Sequence, residues 1–174
     1  VNSGTIIAQF GFAIQALDQA DRIDNSGVIV GKIDLRDDDD VVLNSGRISG
    51  DLLLGGDDDS YTGTGTGEVT GTIMGEAGND TVNGGAGNDV ISTSDDAGFS
   101  YRAALDGGAG NDILTSQLIS TSPENIDVLT GGTGADVFEF SFSGEDIAPS
   151  CGATLCSLLE VADFNPTEDA LVVE

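Results

Sequence analysis

The sequence predicts an all-β protein whose short strands coil into a solenoid, and three observations lead to this prediction. Segments 12–27, 31–46 and 50–65 share one pattern at a constant offset of 19 residues. In each segment an aspartate is followed two residues later by an apolar or aromatic residue. Glycine contributes 26 of the 174 residues, about twice its usual share of about 7%. Because a repeat of this length holds two short strands and two turns, each repeat should form one coil stacked on the last.

The aspartates of the early repeats should stack along one edge of the solenoid. Asp21, Asp40, Asp59 and Asp80 occupy equivalent positions, and consecutive coils lie about 4.8 Å apart. The opposite turns of these coils carry neutral Asn-Ser-Gly or Gly-Thr-Gly sequences, and Asn and Gly both tolerate left-handed backbone angles. We therefore expect the early coils to be acidic on one edge only and the later coils to be acidic on both edges.

The composition is strongly acidic, and it excludes several classes of function. The chain has 5 basic and 31 acidic residues, a formal net charge of −26, and no histidine. This charge argues against binding to nucleic acids or anionic membranes, because phosphate groups would be repelled. The absence of histidine excludes Ser-His-Asp triads and HExxH zinc sites. No apolar run approaches the roughly 18 residues that a membrane span needs. Hydrophobic residues still make up 39% of the chain, which indicates a folded core.

From Gly75 onward the turns follow one consensus, G-G-x-G-x-D-x-U, in which U is a large apolar residue. Three octamers match it closely, at 84–91, 107–114 and 131–138, and weaker copies occupy 75–82 and 123–129. Glycine lets the backbone coil tightly enough to point several carbonyl groups inward, and each turn adds one carboxylate. Calcium binds six to eight such oxygens at about 2.3–2.6 Å. The sequence therefore predicts several calcium ions, shared between stacked turns.

These turns resemble the calcium-binding nonapeptides of the repeats-in-toxin (RTX, hemolysin-type) family. Segments 127–140 and 162–173 are also similar to the C-terminal domain of serralysin-type secreted proteins. The resemblance is specific over about 75–174, whereas segment 5–74 is similar to the β-helical stretches upstream of such domains. It implies a right-handed parallel β-helix or β-roll with calcium in the stacked Gly/Asp turns. It also implies calcium-driven folding outside the cell and type I secretion from a Gram-negative bacterium.

The family pattern also implies which residues hold calcium, namely the turn aspartates and backbone groups of the turn glycines and asparagines. The matching positions here are Asp80, Asp89, Asp112, Asp136, Gly78, Gly87, Gly110, Gly134, Gly85, Gly108, Asn79, Asn88 and Asn111. Asp127, Asp59 and Asp40 are further candidate ligands in degenerate turns. The aspartate runs 37–40 and 57–59 have an alternative interpretation as an ordinary solvated acidic surface, because both lack the full set of glycines.

The sequence divides into three predicted regions. Residues 1–74 should form β-helical rungs with acidic turns on one edge, and residues 75–142 a calcium-binding β-roll with GGxGxD turns on both edges. Residues 143–174 should form a C-terminal cap with an insertion that contains Cys151 and Cys156. An oxidising exterior favours a disulfide between these two cysteines, and a pair of buried thiols is the alternative.

Taken together, these features predict a calcium-dependent folding and secretion module, the C-terminal part of a larger exported bacterial protein. The alternative is a subunit of a calcium-dependent surface layer, filament or adhesin, with copies of the chain or cell-surface polysaccharide as partners. A third interpretation is a polysaccharide-modifying β-helix enzyme. Almost every clustered acid belongs to the repeat, so we predict no catalytic residues and do not expect an enzyme.

Overall fold

Two parallel β-sheets face each other and together form a solenoid. The computed structural model describes residues 1–93, 101–118, 126–142 and 159–173. The ten-stranded sheet contains β1 (Thr5–Gln15), β3 (Val28–Asp34), β5 (Arg47–Ser49), β6 (Leu52–Gly56), β8 (Glu68–Val69), β9 (Thr72–Ala77), β11 (Val90–Ser92), β13 (Ile113–Leu118), β15 (Val137–Phe142) and β17 (Ala170–Val173). The seven-stranded sheet contains β2 (Arg22–Asn25), β4 (Val41–Asn44), β7 (Ser60–Gly63), β10 (Thr81–Ala86), β12 (Ala104–Ala109), β14 (Asp127–Thr133) and β16 (Leu159–Val161). The predicted all-β parallel solenoid is thereby confirmed.

The coils differ in their number of strands along the chain. Strands β5 and β6 both lie in the ten-stranded sheet and are separated only by residues 50–51, and β8 and β9 are separated only by residues 70–71. These early coils therefore contain three strands each. From β10 to β15, each coil has one strand in each sheet. The change comes at residues 87–89, where the chain turns directly into β11, and β11 pairs with β9.

The two sides of the solenoid where the sheets are joined are called edge A and edge B below. Edge A holds the turns that lead from the ten-stranded to the seven-stranded sheet, including turns 35–40, 54–59 and 75–80. Edge B holds the return turns, including turns 84–89, 107–112 and 131–136. The parallel register places turns of one edge directly above one another.

The core consists of stacked apolar side chains that point inward from both sheets. In the seven-stranded sheet this column comprises Ile23, Val42, Tyr61, Val82, Leu105 and Leu129. In the ten-stranded sheet it comprises Ile33, Leu52, Ile73, Ile91, Leu114 and Phe138. Each such side chain contributes about 1.5–3 kcal/mol relative to an exposed one. Since side chains alternate along a strand, the aspartate two residues before an inward apolar residue also points toward the interior.

Some predictions fall on parts of the chain that the structure does not describe. Cys151 and Cys156 lie outside the described residues, so the disulfide stays a prediction. The degenerate copy at 123–129 is described only from residue 126 onward. Among the described residues, none belongs to a helix that could span a lipid bilayer.

Candidate metal centre

The turn aspartates of edge B form one ladder through the GGxGxD turns. The backbone N–H of Asp89 donates to Oδ1 of Asp112 at 2.9 Å, and the N–H of Asp112 donates to Oδ1 of Asp136 at 2.9 Å. Asp169 extends the ladder, because its Oδ1 accepts the N–H of Asp136 at 3.0 Å. Each carboxylate therefore uses one oxygen to join its own turn to the turn of the preceding coil.

A second aspartate ladder with the same bonding runs along edge A. The N–H groups of Asp21, Asp40 and Asp59 donate to Oδ1 of the aspartate one coil later, at 2.6, 2.7 and 3.0 Å. The predicted stacking of Asp21, Asp40, Asp59 and Asp80 along one edge is confirmed by these bonds. One coil after Asp80, however, the position is occupied by Ala103. The edge A ladder is thus continuous from Asp21 to Asp80, and the edge B ladder starts at Asp89.

The second carboxylate oxygen of most ladder aspartates is buried without a partner. This is true of Oδ2 in Asp40, Asp59, Asp80, Asp89 and Asp112, and these residues are at most 3% exposed. Burial raises the pKa of Asp59 to about 8, and it raises the pKa values of Asp40, Asp80 and Asp89 to about 6. A buried carboxylate without a partner is costly, so these oxygens call for a cation or a proton.

Asp127 differs from the other predicted ligands. Its Oδ1 accepts the N–H of Ala103 at 2.9 Å, as in the ladders. Its Oδ2, however, accepts the Oγ hydroxyl of Ser116 at 2.6 Å and lies 3.5 Å from the Oγ1 hydroxyl of Thr93. Both oxygens of Asp127 are therefore satisfied within the protein, which makes it the weakest candidate of the predicted carboxylate ligands.

The glycines of the later turns are required by close approach of neighbouring groups. A Cβ on Gly84, the first residue of its turn, would lie 2.6 Å from Oδ2 of Asp89 in the same turn. A Cβ on Gly110 would overlap the carbonyl group of Gly87 one coil earlier, and Gly110 has a φ of 152°. The remaining predicted glycines have positive φ too: Gly78 (158°), Gly85 (101°), Gly87 (123°), Gly108 (97°) and Gly134 (142°). Glycine thus leaves room for the carboxylate and for tight stacking of the turn backbones.

The predicted asparagines stabilise the stack from the outside of the turns. Oδ1 of Asn88 accepts the backbone N–H of Asn111 at 2.9 Å, and Oδ1 of Asn111 accepts the N–H of Ala135 at 2.9 Å. On edge A, Oδ1 of Asn79 accepts the N–H of Arg102 at 3.0 Å. All three asparagine side chains therefore bond to the next coil, which leaves only their backbone carbonyl groups as candidate ligands.

Two groups of functional residues were missed by sequence reasoning. The carboxylate of Asp163 accepts the N–H groups of Gly131 and Gly132 at 2.9 and 2.7 Å, and with Asp169 it covers the last GGxGxD turn. On edge B of the early coils, Asn2, Asn25 and Asn44 form a ladder of side-chain amides. The 19-residue spacing of Asn25 and Asn44 was a signal for that ladder, whereas no repeat spacing marks Asp163.

The donor set fits a hard divalent cation such as calcium. Within the described ranges, no three carboxylates, cysteines or histidines converge as they would in a site made of side chains alone. An ion between two turns would therefore take one inward Oδ2 per turn and draw its other oxygens from backbone carbonyl groups, a mixture that calcium accepts. The buried, unpartnered Oδ2 atoms are the observation that supports this fit.

Comparison with known protein families identifies repeats that contain the same turns. The family described as the RTX calcium-binding nonapeptide repeat matches four copies in the chain, at residues 66–99, 104–116 and 124–139. These ranges include Asp80, Asp89, Asp112, Asp127 and Asp136, and they begin after the turns of Asp40 and Asp59. No curated protein and no solved structure matches the chain.

Proposed function

Because this chain carries RTX calcium-binding nonapeptide repeats, we propose that it is a calcium-binding module whose solenoid folds when it meets extracellular calcium. The observation that carries this proposal is the pair of aspartate ladders with unpartnered, buried Oδ2 atoms. We propose Asp80, Asp89, Asp112 and Asp136 as the carboxylate ligands in the matched repeats. Backbone carbonyl groups of the turn glycines and asparagines complete the sites.

Electrostatics explains why folding would depend on calcium. The chain has a net charge of −26, and the ladders bring carboxyl groups that are ionised in the unfolded chain into consecutive coils about 4.8 Å apart. Repulsion between them opposes stacking until a cation lies between the turns. Calcium supplies that positive charge, so that its binding free energy becomes folding free energy, as in other metal-dependent folds.

We also propose that the chain is the C-terminal part of a protein exported by a Gram-negative bacterium through type I secretion. Calcium sites of extracellular modules bind at roughly 10⁻⁴–10⁻³ M. Such sites stay empty at cytosolic calcium levels and fill outside the cell. The chain would therefore remain expanded during export and fold after it. In this role the module supplies structure rather than catalysis, and its partner is calcium.

A calcium titration that starts in chelator tests the proposal, with far-UV circular dichroism as the measurement of folding. We expect a cooperative gain of β-structure with calcium and no comparable gain with the same concentration of magnesium, which gives up its water ligands reluctantly. A β-signal that is already complete in chelator at neutral pH would contradict the proposal, because the ladders would then be stable without ions.

Exposed end strands favour the alternative function, a subunit of a calcium-dependent surface layer, filament or adhesin. Within the described residues, β1 pairs only with β3, and β17 pairs only with β15. These strands expose apolar side chains, among them Phe10 (94% exposed) and Val173 (63% exposed). Light scattering in the same titration separates the two functions. A mass that rises with calcium and protein concentration would support assembly, and a mass that stays at one chain would support the isolated module.

A further inference from the structure

We propose that edge A carries a second column of calcium sites, formed by turn 75–80 and the stacked turns 35–40 and 54–59, in which Asp38 and Asp57 replace the fourth-position glycine of the consensus. This inference rests on the proposed calcium-binding function and extends it to two turns that precede the matched repeats. The carboxylate ligands are Asp40, Asp59 and Asp80, each through its Oδ2 atom.

The backbone of the two upstream turns is that of the GGxGxD turns. In turn 107–112 the second and fourth residues have positive φ, with Gly108 at 97° and Gly110 at 152°. The upstream turns have positive φ at the same two positions, in Arg36 (75°), Asp38 (82°), Gly55 (123°) and Asp57 (76°). Side-chain-bearing residues rarely adopt this conformation, so the shared angles reflect a shared turn geometry rather than a shared composition.

The buried carboxylates of these turns point to a ligand. Asp40 and Asp59 are 1% and 2% exposed, and Oδ2 of each has no hydrogen-bond partner in the described residues. Their Oδ1 atoms accept the N–H groups of Asp21 and Asp40, as in the edge B ladder. An ordinary solvated acidic surface would instead expose these carboxylates to water, so that interpretation fits only the outer members of the runs, such as Asp38 and Asp58.

The edge A sites should differ from the edge B sites in charge. Turns 35–40 and 54–59 together contain seven aspartates and Arg36, whereas turns 84–89 and 107–112 contain only Asp89 and Asp112. The five additional carboxylates are exposed on these turns. Three of them link the coils, and Oδ1 of Asp58 accepts the N–H of Asn79 at 2.9 Å. Oδ1 of Asp39 accepts the N–H of Asp58 at 3.0 Å, and Oδ2 of Asp57 accepts the N–H of Asp38 at 3.3 Å. They raise the negative potential at the site, so calcium binding on edge A should weaken more steeply with added salt than binding on edge B.

Three double variants of the full chain test the proposal by the number of calcium ions bound at about 1 mM free calcium and neutral pH. Asp40→Asn with Asp59→Asn removes charge from the upstream turns, and Asp89→Asn with Asp112→Asn removes it from edge B. Asp24→Asn with Asp34→Asn is the matched control, since both residues lie in strands β2 and β3 rather than in turns. Equilibrium dialysis counts the ions, and calorimetry at two salt concentrations measures the affinity.

We expect the upstream variant to bind fewer ions than the control while it keeps its edge B ions. In calorimetry, the binding events whose affinity falls most with added salt should be absent from this variant. If the upstream variant binds as many ions as the control while the edge B variant binds fewer, the inference is wrong and the proposed function stands. If neither variant binds fewer ions than the control, the inference and the proposed calcium-binding function are both wrong.

A second background keeps the test valid if the upstream variant does not fold. Asp38→Gly with Asp57→Gly places glycine at the two left-handed positions and leaves Asp40 and Asp59 in place. This background should fold more readily in calcium, because glycine adopts positive φ without strain. Adding Asp40→Asn and Asp59→Asn to it should again lower the number of bound ions. An unchanged number in the folded background would overturn the inference.

Discussion

On edge B, the early coils are joined by a ladder of asparagine side chains, whereas the later coils are joined by a ladder of aspartates. Nδ2 of Asn2 donates to Oδ1 of Asn25 at 2.8 Å, and Nδ2 of Asn25 donates to Oδ1 of Asn44 at 2.8 Å. Nδ2 of Asn44 then donates to the hydroxyl of Tyr61 at 3.3 Å. An amide both donates and accepts, so this ladder satisfies itself within the protein.

The strand register shows how one ladder replaces the other. Asn44 is in register with Gly63, and the same column continues through Gly84 and Gly107. In the later coils the side chain at this position is absent, and a carboxylate from five residues further along the chain lies against the glycine instead, as Asp89 does at Gly84. An ionised carboxylate only accepts hydrogen bonds, so it leaves an oxygen for a cation. Early coils have Asn at this position, and their polar groups are satisfied within the protein. Later coils have Gly here and Asp five residues further on, and this Asp leaves an oxygen that needs a cation.

The largest effect should come from removing a carboxylate of the later ladder. Asp112→Asn should raise the calcium concentration at half-folding at least about tenfold, equal to about 1.4 kcal/mol, because an anionic ligand shared by two coils is lost. It should also lower the number of bound ions, as measured by far-UV circular dichroism and equilibrium dialysis. Asp18→Asn removes the same charge from an exposed position and should leave both values near those of the unmodified chain. Equal midpoints for the two variants would contradict the assignment of Asp112.

A pair of glycine variants separates turn stacking from backbone strain. Both Gly110 and Gly87 have positive φ, so alanine should cost about 1–3 kcal/mol of conformational strain at either position. Only at Gly110 does the added Cβ overlap a carbonyl group of the neighbouring coil, whereas nothing lies within 4 Å of it at Gly87. Gly110→Ala should therefore reduce the thermal unfolding temperature in saturating calcium clearly more than Gly87→Ala. Equal decreases in unfolding temperature would mean that backbone strain alone accounts for the need for glycine at these positions.

The asparagine ladder should contribute to stability without contributing to ion binding. Asn44 is fully buried, and Asn44→Ala leaves the Nδ2 group of Asn25 with only a long contact of 3.4 Å to the carbonyl oxygen of Gly27. The expected cost is about 1–3 kcal/mol of unfolding free energy, the usual penalty for a buried group that loses its partner. Thermal unfolding in saturating calcium measures this loss, and calcium dialysis should give an unchanged ion number. A lower ion number would show that the two ladders are not chemically separate.

The smallest expected effect is a partial replacement of calcium by protons. Burial raises the pKa of Asp59 to about 8 and the pKa of Asp40, Asp80 and Asp89 to about 6. Since these folded-state pKa values lie above the ordinary aspartate value of 3.8, the folded state binds more protons than the unfolded state. The metal-free fold should therefore be most stable near and below pH 4 and lose stability as pH rises through 6 to 8.

Far-UV circular dichroism of the metal-free chain, recorded from pH 8 down to pH 5, measures this effect. We expect β-signal to increase on acidification, and to increase less in the Asp40→Asn, Asp59→Asn variant, whose amides do not titrate. A β-signal that falls on acidification would contradict the sign of these pKa shifts.

The repeat length, the stacking of the turn aspartates and the inward apolar column can all be predicted from the sequence. These features follow from local periodicity, because alternation along a strand and a fixed coil length place Asp40, Asp59 and Asp80 on one edge whatever the details of packing. The glycine pattern likewise marked the turns that need left-handed backbone angles. It did not reveal that Arg36, Asp38 and Asp57 adopt the same angles, because composition alone favours glycine there.

The distribution of the two ladders, and the identity of the aspartates with an unpartnered oxygen, depend on contacts between distant parts of the folded chain. Ala103 interrupts edge A after Asp80, and the hydroxyl of Ser116, 11 residues away in sequence, satisfies Oδ2 of Asp127. Asp163 reaches back 31 and 32 residues to the N–H groups of Gly132 and Gly131. Such contacts depend on the register between coils that are separated by insertions of unequal length. No local pattern encodes that register, because it is set by the packing of strands against the whole stack.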